Sequence, residues 1–182
     1  MKIGLLRHFK VTRGYPNRLV TSDELMKWVE EYDASEVEAN EVDLRGIEWE
    51  KCYSSDLPRA IQTAEAVYDG EIERMEALRE IRLAPLFRMN VRLPLFVHLL
   101  FIRGAWLFNH KSQPEARQEV IVRIRSTLDE IVKEEKDVLI VSHGGVMMFM
   151  RKELMRRGFR PQGAAFKRPE NGKLYVFEKQ GT

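Results

Sequence analysis

The chain has 182 residues, a length that suits one domain with a sizeable buried core. Its apolar fraction of 44% and charged fraction of 32% are typical of a folded globular protein and exclude a disordered chain. The formal net charge of only +2 excludes a strongly basic chain, so we expect no nucleic-acid partner.

Cys52 is the single cysteine of the sequence. One cysteine excludes an intramolecular disulfide and a cysteine-rich zinc site, and it fits a reducing compartment. The N-terminal residues lack the long apolar stretch of a secretory signal. We therefore expect a cytoplasmic protein.

Short apolar runs alternate with longer helical patterns along the chain. Strands are predicted at residues 2–6, 50–55, 71–75, 136–142 and 173–179. Helices are predicted at residues 21–32, 56–70, 114–135 and 144–157. Pro58 and Pro114 mark helix starts, Gly70 marks a helix end, and Asn171-Gly172 predicts the turn of a terminal hairpin. This alternation favours one α/β domain over residues 1–182, a three-layer sandwich whose mainly parallel sheet carries helices on both faces.

Residues 81–113 interrupt the alternation and resemble a lid-like insertion over one end of the sheet. Their apolar run, residues 93–108, is too short and too polar to span a bilayer. We predict a packed helix or flap and no membrane partner, in preference to a membrane-surface anchor. The segment could also form a dimer contact, and the oligomeric state stays open. Side chains available to a substrate or to packing are Arg82, Arg88, Arg92, Arg103, Phe87, Leu95, Phe96, Phe101 and Trp106.

Four short motifs carry residues suited to catalysis. Arg7-His8 ends the first strand, Arg59 lies on the first turn of the helix after the second, Glu80 follows the third, and His143 precedes two glycines. In a parallel sheet the first, second and fourth motifs meet at one carboxyl edge, where ligands bind in open α/β folds.

This set of side chains suits a phosphoryl group. Two guanidinium groups can bind its oxygens, and the helix N-terminus at Gly144 adds backbone N–H donors. A neutral histidine can attack phosphorus, and nearby arginine charges disfavour its protonation. A carboxylic acid can protonate the leaving alkoxide.

The motifs resemble those of the histidine phosphatase superfamily, which also contains the cofactor-dependent phosphoglycerate mutases. The matching stretches are "LLRH", "SSDLPRAIQTAE", "LREI" and "VSHGG". The resemblance implies a phosphoglycerate mutase-like fold and His8 as the nucleophile that becomes phosphorylated. It also implies that Arg7, Arg59 and His143 bind the phosphoryl group, that Glu80 is the acid and base, and that neither metal nor cofactor is needed.

Two departures from the family pattern bear on function. Phe9 stands where the family usually has glycine, so we expect a narrower pocket, a redirected loop or reduced turnover. The stretch after the first loop is shorter than the substrate-binding segment of the mutases. We therefore favour a metal-independent phosphatase acting through a phosphohistidine on a small anionic phosphorylated substrate. A mutase-like phosphotransferase and a catalytically weak phosphate-binding module remain alternatives.

Overall fold

The computed structural model of the chain describes residues 1–16, 19–86, 91–163 and 167–179. Its strands within these residues are β1 (Lys2–Arg7), β2 (Leu19–Val20), β3 (Lys51–Ser55), β4 (Ile72–Met75), β5 (Leu93–Pro94), β6 (Val138–Ser142), β7 (Arg160–Pro161) and β8 (Leu174–Glu178). Its helices are α1 (Ser22–Asp33), α2 (Pro58–Val67), α3 (Leu95–Leu107), α4 (Arg117–Val132) and α5 (Gly144–Arg156).

Six strands form the central sheet in the order β4-β3-β6-β1-β8-β7. The first four run parallel, and β8 and β7 are antiparallel to their neighbours. Arg7 pairs in register with Ser142, and Ser54 pairs with Val141, so β1, β3 and β6 end at one edge. The predicted mainly parallel sheet is therefore confirmed, with an antiparallel margin at one side.

Alternating side chains of the sheet enter two separate cores. Ile3, Leu5, Val138 and Ile140 pack with the buried faces of α4 and α5. On the opposite face, Leu6, Leu139 and Val141 pack with Ala60 and Ala64 of α2 and with Trp49. Because successive strand side chains point to opposite faces, continuous apolar strands require helices on both sides. The predicted three-layer α/β sandwich is confirmed.

A capping box defines the start of α1. The Thr21 hydroxyl accepts a hydrogen bond from the Glu24 N–H at 3.2 Å, and the Glu24 carboxylate accepts one from the Thr21 N–H at 2.8 Å. These bonds satisfy donors that a helix start otherwise leaves unpaired. The other end of the helix brings Tyr32 and Asp33 to Arg59 of α2.

The apolar run of residues 93–108 forms β5 and α3. β5 pairs antiparallel with β2, a small two-stranded sheet that sequence reasoning did not predict. His98 of α3 is buried, and its Nε2 lies 2.8 Å from the Val20 carbonyl oxygen, so the helix packs as expected. Phe87 and Arg88 lie outside the described residues. None of the described helices has the length and apolarity that a membrane span requires.

Three predicted boundaries differ from the structure. α2 ends at Val67, because Tyr68 adopts extended backbone angles (φ −139°, ψ 123°). α4 begins at Arg117, after Pro114, with the Glu119 carboxylate accepting from the Ala116 N–H. The chain enters β8 after the Asn171-Gly172 turn. β8 pairs antiparallel with β7, as in a terminal hairpin, and it also pairs antiparallel with β1 on its other side.

Candidate active site

His8 follows the last residue of β1 and lies almost completely buried, with 2% of its surface exposed. Its backbone N–H donates to the Ser142 carbonyl at 3.0 Å, which fixes it beside β6. Its Nδ1 lies 2.6 Å from the Phe9 carbonyl oxygen. Because a carbonyl only accepts, Nδ1 carries the proton and Nε2 keeps its lone pair.

The environment of His8 keeps its imidazole neutral. Burial lowers the pKa of His8 to about 3, and the positive charges of Arg59 and Arg7 act in the same direction. A neutral ring with a free Nε2 lone pair is the form that can act as a nucleophile.

His143 is the N-cap residue of α5 and is completely buried. Its ring centroid lies 5.1 Å from that of His8. Its Nε2 lies 2.8 Å from the Ser55 hydroxyl, whereas its buried Nδ1 has no hydrogen-bond partner among the described residues. Burial, followed by the charge of Arg59, holds the pKa of His143 well below its usual range.

Arg7 and Arg59 bring two buried or partly buried guanidinium groups to this pair of histidines. Arg59 is 3% exposed and donates through one terminal nitrogen to the Asp33 carboxylate at 2.6 Å. Arg7 donates through one terminal nitrogen to the Pro169 carbonyl at 2.9 Å. Within the described part of the chain, the buried Nε atom of each arginine lacks a hydrogen-bond partner.

Glu80 follows a short 3₁₀ turn, Glu76–Leu78, and lies against the start of α5. Its carboxylate accepts from the backbone N–H groups of Gly145 at 3.0 Å, Val146 at 3.2 Å and Ile81 at 3.0 Å. Two of the helix-terminal donors that we expected to face a phosphate are therefore occupied by Glu80. The neighbouring Arg79 binds Asp56, so it does not compete for this carboxylate.

Gly144 and Gly145 allow this close packing. A Cβ on Gly145 would lie 2.5 Å from Glu80 Oε1, a distance that non-bonded atoms do not reach. A Cβ on Gly144 would lie 3.4 Å from the Arg7 side chain, an ordinary contact. The first glycine thus adjoins an arginine, and the second makes room for the carboxylate.

Phe9 fits the loop after β1 without the backbone angles that favour glycine. Its φ angle is not among the positive values of the described residues, so it adopts ordinary backbone angles. Its ring is buried against Gly172, whose φ of +67° and missing side chain leave room for it. Its backbone carbonyl orients His8, and its N–H donates to the Thr63 hydroxyl at 2.8 Å.

Sequence reasoning brought His8, Arg7, Arg59, Glu80 and His143 into one site, but it missed the residues that orient them. Ser55 and Thr63 were visible in the second motif, yet their contacts to His143 and Phe9 depend on the assembled sheet. Asp33 and Tyr32 carried no local signal, because only the packing of α1 places them at Arg59.

A family model described as the histidine phosphatase superfamily (branch 1) matches residues 34–181. The chain belongs to the histidine phosphatase superfamily. The recognition made from the four motifs is thereby confirmed, as is the expectation of a phosphatase enzyme. No curated protein matches the chain significantly.

Several solved structures share the fold of this histidine phosphatase. A putative α-ribazole-5'-P phosphatase from Escherichia coli is 17% identical with a TM-score of 0.61, covering 97% of this chain and 89% of its own. YhfR from Bacillus stearothermophilus is 18% identical with a TM-score of 0.60, and the match covers 99% of this chain and 92% of YhfR. A phosphoserine phosphatase from Entamoeba histolytica, solved with 3-phosphoglyceric acid, is 18% identical with a TM-score of 0.58. The match covers 96% of this chain and 89% of that phosphatase.

Proposed function

We propose that this histidine phosphatase hydrolyses small anionic phosphomonoesters without a metal ion, through a phosphohistidine at His8. The supporting observation is a set of three buried nitrogen atoms without hydrogen-bond partners among the described residues, Arg7 Nε, Arg59 Nε and His143 Nδ1, beside a neutral His8. An unsatisfied buried polar group costs about 1–3 kcal/mol. In the proposed complex the anionic oxygens of a phosphoryl group accept from both arginines and from His143.

The proposed reaction has two steps. His8 Nε2 attacks phosphorus, the P–O bond to the leaving group breaks, and Glu80 donates a proton to the departing alkoxide. Glu80 then takes a proton from water, whose oxygen attacks the phosphohistidine and releases inorganic phosphate. Arg7, Arg59 and His143 bind the transferring oxygens, and the Gly144 N–H is the helix-terminal donor left for them.

The buried position of these groups favours a phosphate on a small substrate. Two structural neighbours are named as α-ribazole-5'-P and phosphoserine phosphatases, and both names describe enzymes for small phosphomonoesters. Arg82 and Arg92, two of the side chains considered for a second anionic group, form exposed ion pairs with Glu76 and Glu24. The substrate class is therefore proposed as small phosphomonoesters bound chiefly through the phosphate.

Phosphate release from a panel of phosphomonoesters, with EDTA present, tests this proposal. We expect turnover by the parent protein and a loss of about 1,000-fold or more in His8→Ala, because the variant lacks the nucleophile. A phosphorylated protein band that is trapped by acid quenching and is absent from His8→Ala would support the intermediate.

Each other outcome has a defined meaning. Full loss of activity under EDTA would contradict the metal-free mechanism. Transfer of the phosphate to a second position of the substrate, in place of release, would support the mutase-like alternative. Phosphate binding without turnover by the parent would support the binding module.

A further inference from the structure

The outward face of α3 is apolar although it lies on the protein surface. His98, Ile102 and Ala105 are buried on the inward face. On the opposite face, at helical spacing, the most exposed side chains are Phe96 (69%), Leu100 (67%) and Leu107 (56%), followed by Phe108 (88%) at the C-cap; Leu99 (37%) and Phe101 (45%) extend the exposed apolar surface to either side. Large apolar side chains concentrated on one exposed face indicate an interaction surface. We call Phe96, Leu100, Leu107 and Phe108 the α3 face.

The only charged side chain along this face is a cation. Arg103 is exposed, one turn from both Leu100 and Leu107. The surrounding segment, residues 81–114, contains no Asp or Glu, although the chain has 28 acidic residues. Arg82 and Arg92 pair with Glu76 and Glu24 outside the segment, whereas Arg103 and Lys111 are exposed and form no ion pair with the described residues. An apolar helix face with unpaired cations on it and beside it complements an anionic lipid surface.

We infer that α3 binds the surface of an anionic lipid bilayer, lying in the plane of the headgroups with the α3 face toward the acyl chains. The apolar side chains would enter the interface, and Arg103 would extend its guanidinium back to lipid phosphates. The inference is opposite to the sequence-based expectation of no membrane partner, which stays untested until the experiment below. It does not depend on the proposed phosphatase reaction.

The helix is already formed and anchored for this contact. The His98 ring bonds to the Val20 carbonyl, Ile102 packs with Val20 and Leu25, and the Trp106 indole donates to the Glu115 carbonyl at 3.0 Å. Binding therefore requires little further ordering of the chain. Peptides that are unfolded in solution lose conformational entropy when they bind a membrane, and α3 avoids most of that loss.

A second copy of the chain suits this face less well. A two-fold contact places the same patch against itself, and Arg103 lies close to the middle of the helix. An antiparallel pair of α3 helices would bring two guanidinium groups together, with no acidic residue in the segment to compensate them. Like charges at an interface are unfavourable, whereas anionic headgroups are favourable partners.

Cosedimentation of the full chain with lipid vesicles tests the inference. We expect binding to phosphatidylcholine vesicles that contain phosphatidylserine, weaker binding to pure phosphatidylcholine, and a decrease as salt is raised. Phe96→Gln/Leu100→Gln should reduce the partition coefficient by about tenfold or more, because two apolar side chains are removed. Arg103→Glu should reduce binding to the anionic vesicles in particular.

Val122→Gln is the matched control, since Val122 is 55% exposed on α4 and lies outside the α3 face. It should bind vesicles as the parent does, and all variants should keep parental thermal stability because the altered side chains are exposed. Absence of vesicle binding, equal binding to both vesicle types, or a solution dimer that Phe96→Gln/Leu100→Gln dissociates would each overturn the inference. Turnover of a soluble phosphomonoester, measured in parallel, reports separately on the proposed function.

Discussion

At the scale of single residues, each of the two histidines of the site has one ring nitrogen held by a neighbouring residue. The Phe9 carbonyl selects the His8 tautomer, and the Ser55 hydroxyl engages one nitrogen of His143. In the proposed mechanism the other nitrogen of each ring contacts the phosphoryl group. Phe9 in place of glycine is compatible with this role, because its backbone carbonyl makes the contact to His8 and its ring packs against Gly172.

Asp33 competes with a phosphoryl group for Arg59. Its carboxylate accepts from Arg59 at 2.6 Å, and its side chain is 43% exposed. Asp33→Asn should lower the KM for a phosphomonoester by about two- to fivefold, since exposed ion pairs contribute up to about 1 kcal/mol. Steady-state kinetics would show the change, with Glu31→Gln on the same helix as control. A raised KM would instead identify Asp33 as a residue that positions Arg59.

Gly145 makes room for the Glu80 carboxylate. Gly145→Ala should lower kcat by about 100-fold, because a Cβ at 2.5 Å displaces Oε1 by a substantial fraction of an ångström or more. Gly144→Ala, whose Cβ meets Arg7 at 3.4 Å, is the comparison and should lose much less. Equal losses in the two variants would contradict this account of Glu80.

At the scale of elements, α1 and α5 contribute their ends to the site. α5 presents its N-terminal N–H groups to Glu80, and α1 presents Tyr32 and Asp33 from its last turn. The Tyr32 ring lies under the Arg59 guanidinium at 5.3 Å and is tilted against Trp28 at 5.1 Å. The position of a whole helix therefore decides which side chains surround an arginine of α2.

The start of α1 depends on its capping box. Thr21→Ala should lower the free energy of unfolding by about 1 kcal/mol, because the Glu24 N–H loses its acceptor. Chemical denaturation would measure the loss, and Ser126→Ala on the exposed face of α4 is a control expected to be nearly neutral. A Thr21→Ala protein as stable as the parent would show that tertiary packing alone maintains the helix start.

At the scale of the molecule, the sheet brings together residues that are far apart in sequence. Arg7 and Ser142 are register partners, so the ends of β1 and β6 place His8 and His143 with centroids 5.1 Å apart. The sheet also surrounds both rings with protein and excludes water. Burial is accordingly the largest cause of the lowered pKa of each histidine.

These lowered pKa values make stability depend on pH. Protonation of His8 is easier in the unfolded chain, near pH 6.5, than in the folded protein, where the pKa is about 3. The free energy of unfolding should therefore fall as pH decreases from 6.5 towards 3, by about 1.4 kcal/mol per pH unit for each linked proton. It should be insensitive to His8 above pH 7.

Denaturation curves of the parent and His8→Asn at several pH values test this linkage. Between pH 6 and pH 4, the free energy of unfolding of His8→Asn should change less steeply with pH than that of the parent, by the contribution of about one proton. Replacement of the exposed His110 by Gln is the matched control. Identical slopes for parent and His8→Asn would contradict the buried, neutral state of His8.

Local patterns in the sequence were sufficient for the α/β class and for most strands and helices, and they selected five charged or titratable side chains that the structure brings to one edge of the sheet. They were informative because apolar runs, prolines and short motifs act within one element or one turn. They were insufficient for the end of α2, where Tyr68 adopts extended backbone angles before Gly70 is reached, and for β2 and β5, which are too short to show a pattern. The cytoplasmic location and the absence of a nucleic-acid partner stay predictions.

The sequence by itself determined which residues suit phosphoryl chemistry by their type and at which strand ends they lie, because both depend on residue type and local periodicity. Only the tertiary structure decided that Asp33 pairs with Arg59, that Glu80 accepts from the Gly145 and Val146 N–H groups of α5, and that Phe9 turns its ring towards Gly172. Those contacts join residues separated by tens of positions or more. They are decided by the shape of the packed core, which no local pattern records.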